Sequence, residues 1–166
     1  MFILVTMAIL LGLGLILLLN RSSSPVVAEK AFYQPRDVEQ RRLERLAPEQ
    51  FERLCFRLLE QMGLSITGCH RTKQGEIDIT AVNPQPITGG SYIVRCILIP
   101  PEVPINSTQI IALSAPVRAD RASKGIFITT GFFSEEVQKL TEGPPIELLN
   151  GQRLRQLLED HRISLT

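Results

Sequence analysis

Residues Leu64 to Ile99 read LSITGCHRTKQGEIDITAVNPQPITGGSYIVRCILI. Three strand-like runs stand in this stretch, Leu64 to His70, Glu76 to Val82 and Ser91 to Ile99, with turn-forming segments between them at Lys73 to Gly75 and Asn83 to Gly90. That pattern predicts a meander of three strands. What flanks the meander decides the fold class.

Upstream, Pro48 suits the first turn of a helix, where a missing N–H costs nothing. Phe51, Leu54, Cys55, Leu58, Leu59 and Met62 follow at helical spacing, and Gly63 can supply a left-handed cap. Downstream of Pro100–Pro101, Asn106 can cap a helix through about Val117. Lys124 to Thr130 (KGIFITT) reads as a strand buried on both faces. Ser134 then caps a helix through Glu142, Pro145 to Leu149 is a short strand, and Gln152 to His161 is a final amphipathic helix. The expected fold is α/β: a mixed central sheet with helices on both faces, an α/β sandwich.

The N-terminal part is different in kind. Phe2 to Leu19 contains no charged residue and no His, Asn or Gln, and a helix of that length matches the bilayer hydrocarbon. A transmembrane anchor over residues 2–19 is expected. A cleaved signal peptide is the rival, with Val26 and Ala28 at its small-residue site. The absence of Lys or Arg before the run, the run's length and the distance to Ala28 favour the anchor. Arg21, Lys30, Arg36, Arg41, Arg42 and Arg45 all follow the span, which places the C-terminal domain on the cytoplasmic side of an inner or plasma membrane.

Residues 20–47 read as a linker followed by a short, solvated juxtamembrane helix, Asp37 to Leu46. Its arginines have anionic headgroups within reach, although interleaved acids favour a plain solvated face. The domain proper is expected over residues 48–160.

The net charge is only +1, so nothing in the overall electrostatics advertises nucleic acid, and any such reading must rest on a site. The cysteines Cys55, Cys69 and Cys96 are odd in number, widely spaced and set among apolar neighbours. Buried free thiols are expected, with no disulfide framework and no zinc knuckle. The histidines, His70 and His161, stand near no nucleophile elbow, and no Gly-rich phosphate loop precedes a helix. What remains is Gly75-Glu76-Ile77-Asp78 at the start of one strand, with the strand Tyr92 to Ile99 following it.

Five blocks in order carry a resemblance: Phe51-Glu52 on the first helix, the Gly-x-Ile-Asp turn at Gly75 to Asp78, Ile93-Val94-Arg95-Cys96, KGIFITTGFFS from Lys124 to Ser134, and IELLNG from Ile146 to Gly151. Together they resemble the Mrr-type restriction endonuclease domain, a branch of the PD-(D/E)xK nucleases, over Pro48 to about Glu159. The resemblance implies a restriction-endonuclease-like sandwich, magnesium as cofactor, DNA as partner and hydrolysis of a phosphodiester. It places the metal-binding Asp at Asp78 and a helix acid at Glu52.

On the third strand the family reads Gln-x-Lys where this chain has Arg95-Cys96-Ile97. The Lys of that motif helps activate the attacking water, and Ile97 offers neither charge nor proton. Arg95 brings a permanent cation to Asp78, in the electrostatic place of a metal. The site Asp78, Arg95, Glu52 is therefore expected to be vestigial. For Asp78, a salt-bridged carboxylate and a weak metal ligand both stand as readings.

The expectation is a membrane-anchored, DNA-binding domain whose cleavage is weakened or lost. The alternatives are an active magnesium-dependent endonuclease with a migrated lysine, for which Lys73 and Lys124 are the candidates, or a purely structural or protein-interaction module.

Overall fold

The computed structural model describes residues 38–72, 74–100, 102–139 and 144–165. The chain divides at Pro35, and every described residue belongs to the unit from Arg36 to Thr166. The expected anchor at 2–19 and most of the expected linker lie outside the described residues, as does Lys73. Among the described residues, no helix is long and apolar enough to cross a membrane.

The order of elements is α1 (Val38–Glu44), α2 (Pro48–Gln61), β1 (Ser65–Arg71), β2 (Ile77–Asn83), β3 (Gly90–Ile97), α3 (Ser107–Ala119), β4 (Lys124–Thr129), α4 (Glu135–Gln138), β5 (Ile146–Leu149) and α5 (Gly151–Asp160). The five strands form one sheet in sequence order. β1, β2 and β3 run antiparallel, and β4 and β5 join parallel to β3. The connection lengths explain the mixture: a short turn can only reverse the chain, whereas a crossover containing a helix returns it in the same direction. The meander and the mixed sheet are as the sequence predicts.

Alternate residues serve opposite faces of the sheet. On one face Ile77, Ile79 and Ala81 of β2 join Val94, Cys96, Ile126, Ile128 and Leu149 beneath α2 and α5. On the other, Ile93, Ile97 and Phe127 pack against Ile110, Leu113 and Val117 of α3. Helices on both sides leave β4 buried along almost all its length. α3 packs mainly over β3 and β4, and Thr80 and Val82 of β2 are exposed on that face.

Local chemistry sets the helix ends. Gly63 has φ +85°, and the N–H groups of Gly63 and Leu64 reach back to the carbonyls of Glu60 and Leu59. This is a left-handed cap that a Cβ would strain. At α3, the Asn106 side chain accepts from the Gln109 N–H, and the Gln109 side chain accepts from the Asn106 N–H, at 3.1 Å each. That reciprocal pair satisfies two otherwise orphaned donors.

Four local expectations need correction. Helix α1 is not solvated all round: Leu43 is wholly buried and Leu46 packs beside it, because one inward side chain is enough to seat a seven-residue helix. Met62 ends α2 as its C-cap and is exposed. Cys69 is exposed, whereas Cys55 and Cys96 are buried as expected. Ser134 stands at the cap position of α4, but its hydroxyl makes no capping hydrogen bond and is buried without a partner.

Candidate active site

Asp78 on β2 and Arg95 on β3 are register partners across an antiparallel ladder, so their side chains leave the sheet side by side on one face. Arg95 Nε donates to Asp78 Oδ1 and Nη2 donates to Oδ2, both at 2.7 Å. The fork geometry of guanidinium and carboxylate makes this a bidentate, charge-assisted pair.

Glu76, two residues before Asp78, approaches the same guanidinium, with Oε2 3.7 Å from Nε. The site is largely shielded: 12% of the Arg95 side chain is exposed, 18% of Glu76 and 27% of Asp78. The hydrogen bonds to Asp78, with the charges of Asp78 and Glu76, hold Arg95 above its ordinary pKa, although burial pulls the other way. A guanidinium held this way stays a cation.

Ile97 follows Arg95 at the same-face spacing, and it is in the core. It is 6% exposed and belongs to the cluster with Ile93, Ile105 and Phe127 under α3. The position that the resemblance pairs with the motif Lys therefore lies in an apolar cluster.

Glu52 is not brought to Asp78. It accepts from Arg71 Nη2 and lies 3.8 Å from Cys69 Sγ. Cys69 and Arg71 are the register partners of Ile79 and Ile77, which point toward α2. Glu52 thus serves the opposite face from Asp78 and Arg95.

Of the two lysine candidates, Lys124 is not brought to Asp78. Lys124 is three residues before Phe127, the register partner of Arg95, so pleating turns it to the other face. There it bonds Glu147 at 2.9 Å. Lys73 lies outside the described residues.

Two residues beside Asp78 were not singled out from the sequence as parts of the site. Glu76 was legible in principle, because it belongs to the Gly75–Asp78 stretch and stands two residues before Asp78, just ahead of β2. His70 was not legible. It is an exposed register partner of Asp78, and only the β1–β2 pairing places it there.

The donor set does not fit a divalent cation. Both oxygens of Asp78 are engaged by Arg95, Ile97 has no ligand atom, and the described residues hold no group of three or more His, Cys, Asp or Glu arranged for a metal. A hard dication asks for several free oxygens around one point.

A family model described as restriction endonuclease, the Mrr catalytic type, matches residues 43–158. The chain belongs to the Mrr-type restriction endonuclease family. The DNA modification-dependent restriction endonuclease AspBHI shares its fold, with a TM-score of 0.59 at 16% sequence identity over 86% of this chain. This chain spans 40% of the AspBHI chain. The MspJI restriction endonuclease in complex with a 27-mer oligonucleotide aligns over 67% of this chain and 26% of its own, at 19% identity and a TM-score of 0.45. A comparison with curated proteins finds no match. Within this Mrr-type chain, Arg95, Cys96 and Ile97 close the strand β3.

Proposed function

We propose that this chain is a membrane-anchored Mrr-type domain that binds DNA and no longer cleaves it. The observation that carries the reading is the bidentate Arg95–Asp78 pair beside the buried Ile97. A nuclease of this kind needs a cation that can bring water and phosphate together, and a nearby group to help activate that water. A guanidinium offers charge and directed hydrogen bonds, but it has no exchangeable coordination positions. It neutralises Asp78 without activating anything.

Phosphate recognition asks for less. Backbone N–H groups and cationic side chains on an accessible face are enough, and beside the shielded Asp78–Arg95 pair the same face of β2 exposes Thr80 and Val82. The anchor rests on the uncharged run Phe2 to Leu19, and the cytoplasmic placement on the basic residues that follow it.

The test uses the full chain in detergent with plasmid DNA and magnesium or manganese, beside Asp78→Ala. No cleavage by either is expected. Nicking by the natural chain that Asp78→Ala abolishes would restore the active endonuclease. Binding to duplex DNA should weaken log-linearly as salt rises; no binding at low salt would end the DNA-binding reading.

A further inference from the structure

Helix α1 carries charge that the core does not use. Leu43 is wholly buried and Leu46 packs beside it, which fixes the inward direction of the helix. At about 100° per residue, Arg41 lies about 160° from Leu43 and points outward, and Arg45, in the turn just after Glu44, continues the count to the same side. By the same count Arg42 lies about 100° to one side of Leu43 and Glu44 about 100° to the other. Arg41, Arg42 and Arg45 are exposed, and none of the three has an ion pair among the described residues. Among the described side chains, Arg42, Arg45 and Arg41 fall within one arc of about 100°, with Glu44 about 60° beyond Arg41.

The place of α1 adds a second argument. Only residues 20–37 separate it from the apolar run that ends at Leu19, a tether of at most about 65 Å even when fully extended. Because Leu43 belongs to the cluster beneath α2 and α5, α1 sits in that layer, across the sheet from Asp78 and Arg95. In the same layer α2 exposes Arg53 and Arg57 one turn apart, with Glu60 beyond them.

We propose that the Arg41, Arg42 and Arg45 face of α1 docks on an anionic phospholipid surface, which turns the Asp78–Arg95 face of the sheet toward solution. The proposal rests on the anchor reading for its supply of membrane, and it adds an orientation to it. A basic residue beside an anionic leaflet gains on the order of fivefold in binding, so three together gain on the order of a hundredfold.

The experiment uses the full chain in lipid nanodiscs, either phosphatidylcholine alone or phosphatidylcholine with phosphatidylglycerol. Hydrogen exchange is followed at the amides of residues 38–46. The expected result is exchange roughly tenfold or more slower in the anionic discs, reverting at high salt and in R41Q/R42Q/R45Q. Equal exchange in both lipids, or anionic-lipid protection that survives the triple variant, overturns the proposal. Protection of α1 by duplex DNA in uncharged discs, with none from anionic lipid, would assign the face to nucleic acid and also overturn it. The anchor is read separately, by alkaline extraction from phosphatidylcholine vesicles. A chain that washes off ends the anchor reading, while the docking of α1 is still measured by adding anionic vesicles.

Discussion

Arg95 concentrates the residue-scale argument, because one guanidinium answers two partly shielded carboxylates. Arg95→Ala leaves Glu76 and Asp78 facing each other without a cation. Urea unfolding should show a loss of about 2–3 kcal/mol, below the cost of breaking a fully buried pair because solvent reaches part of this one. The double change Arg95→Gln with Ile97→Lys is expected to bind magnesium more tightly than the natural chain, read by titration calorimetry. It should also lower stability, since Ile97 lines an apolar cluster and an ammonium there must be desolvated. If the double variant folds and takes up magnesium no better than the natural chain, Arg95 does not stand in a metal's place.

Cys69 gives a pH-dependent test at the same scale. Partial burial and the neighbouring Glu52 carboxylate raise its thiol pKa, so less thiolate is present near pH 8 than an ordinary cysteine would show. One thiol should react with a disulfide reagent in the folded protein, slowly, with Cys55 and Cys96 silent until unfolding. Glu52→Gln removes the negative charge and should speed the reaction several-fold; an unchanged rate would mean that burial alone governs it.

At the scale of elements, the caps are where residue type translates directly into structure. Asn106→Ala removes one half of a reciprocal pair at α3 and should cost about 1 kcal/mol. Gly63→Ala should cost a similar amount, about 1 kcal/mol. The space around Gly63 is open, so that cost comes from φ and not from a clash. Thermal unfolding of each variant checks both values. Ser134 shows the limit of such reading: it occupies a cap position, yet its rotamer and the packing around it leave the hydroxyl unbonded. A one-dimensional pattern states what a side chain can do, and the surrounding packing selects what it does.

For the molecule as a whole, the seat of α1 decides where the domain begins. Leu43 joins the core cluster, so the packed unit reaches upstream of Pro48, the boundary that helix and strand signals suggest. Leu43→Ala should cost about 2–3 kcal/mol. Part of that loss should appear as faster hydrogen exchange confined to α1, in contrast to a uniform loss across the sheet.

The order of strands and helices, the family blocks and the absence of a lysine at position 97 can all be read along the chain. Each of these depends on neighbours within a few residues, or on the identity of a single side chain. Tertiary structure alone decided that Glu52 turns to Arg71 and away from Asp78, that His70 stands opposite Asp78, and that Leu43 is core while Cys69 is not. Those outcomes depend on strand register and helix seating, which bring together residues far apart in the chain, and a pleat reverses the face of a side chain with every single step of register.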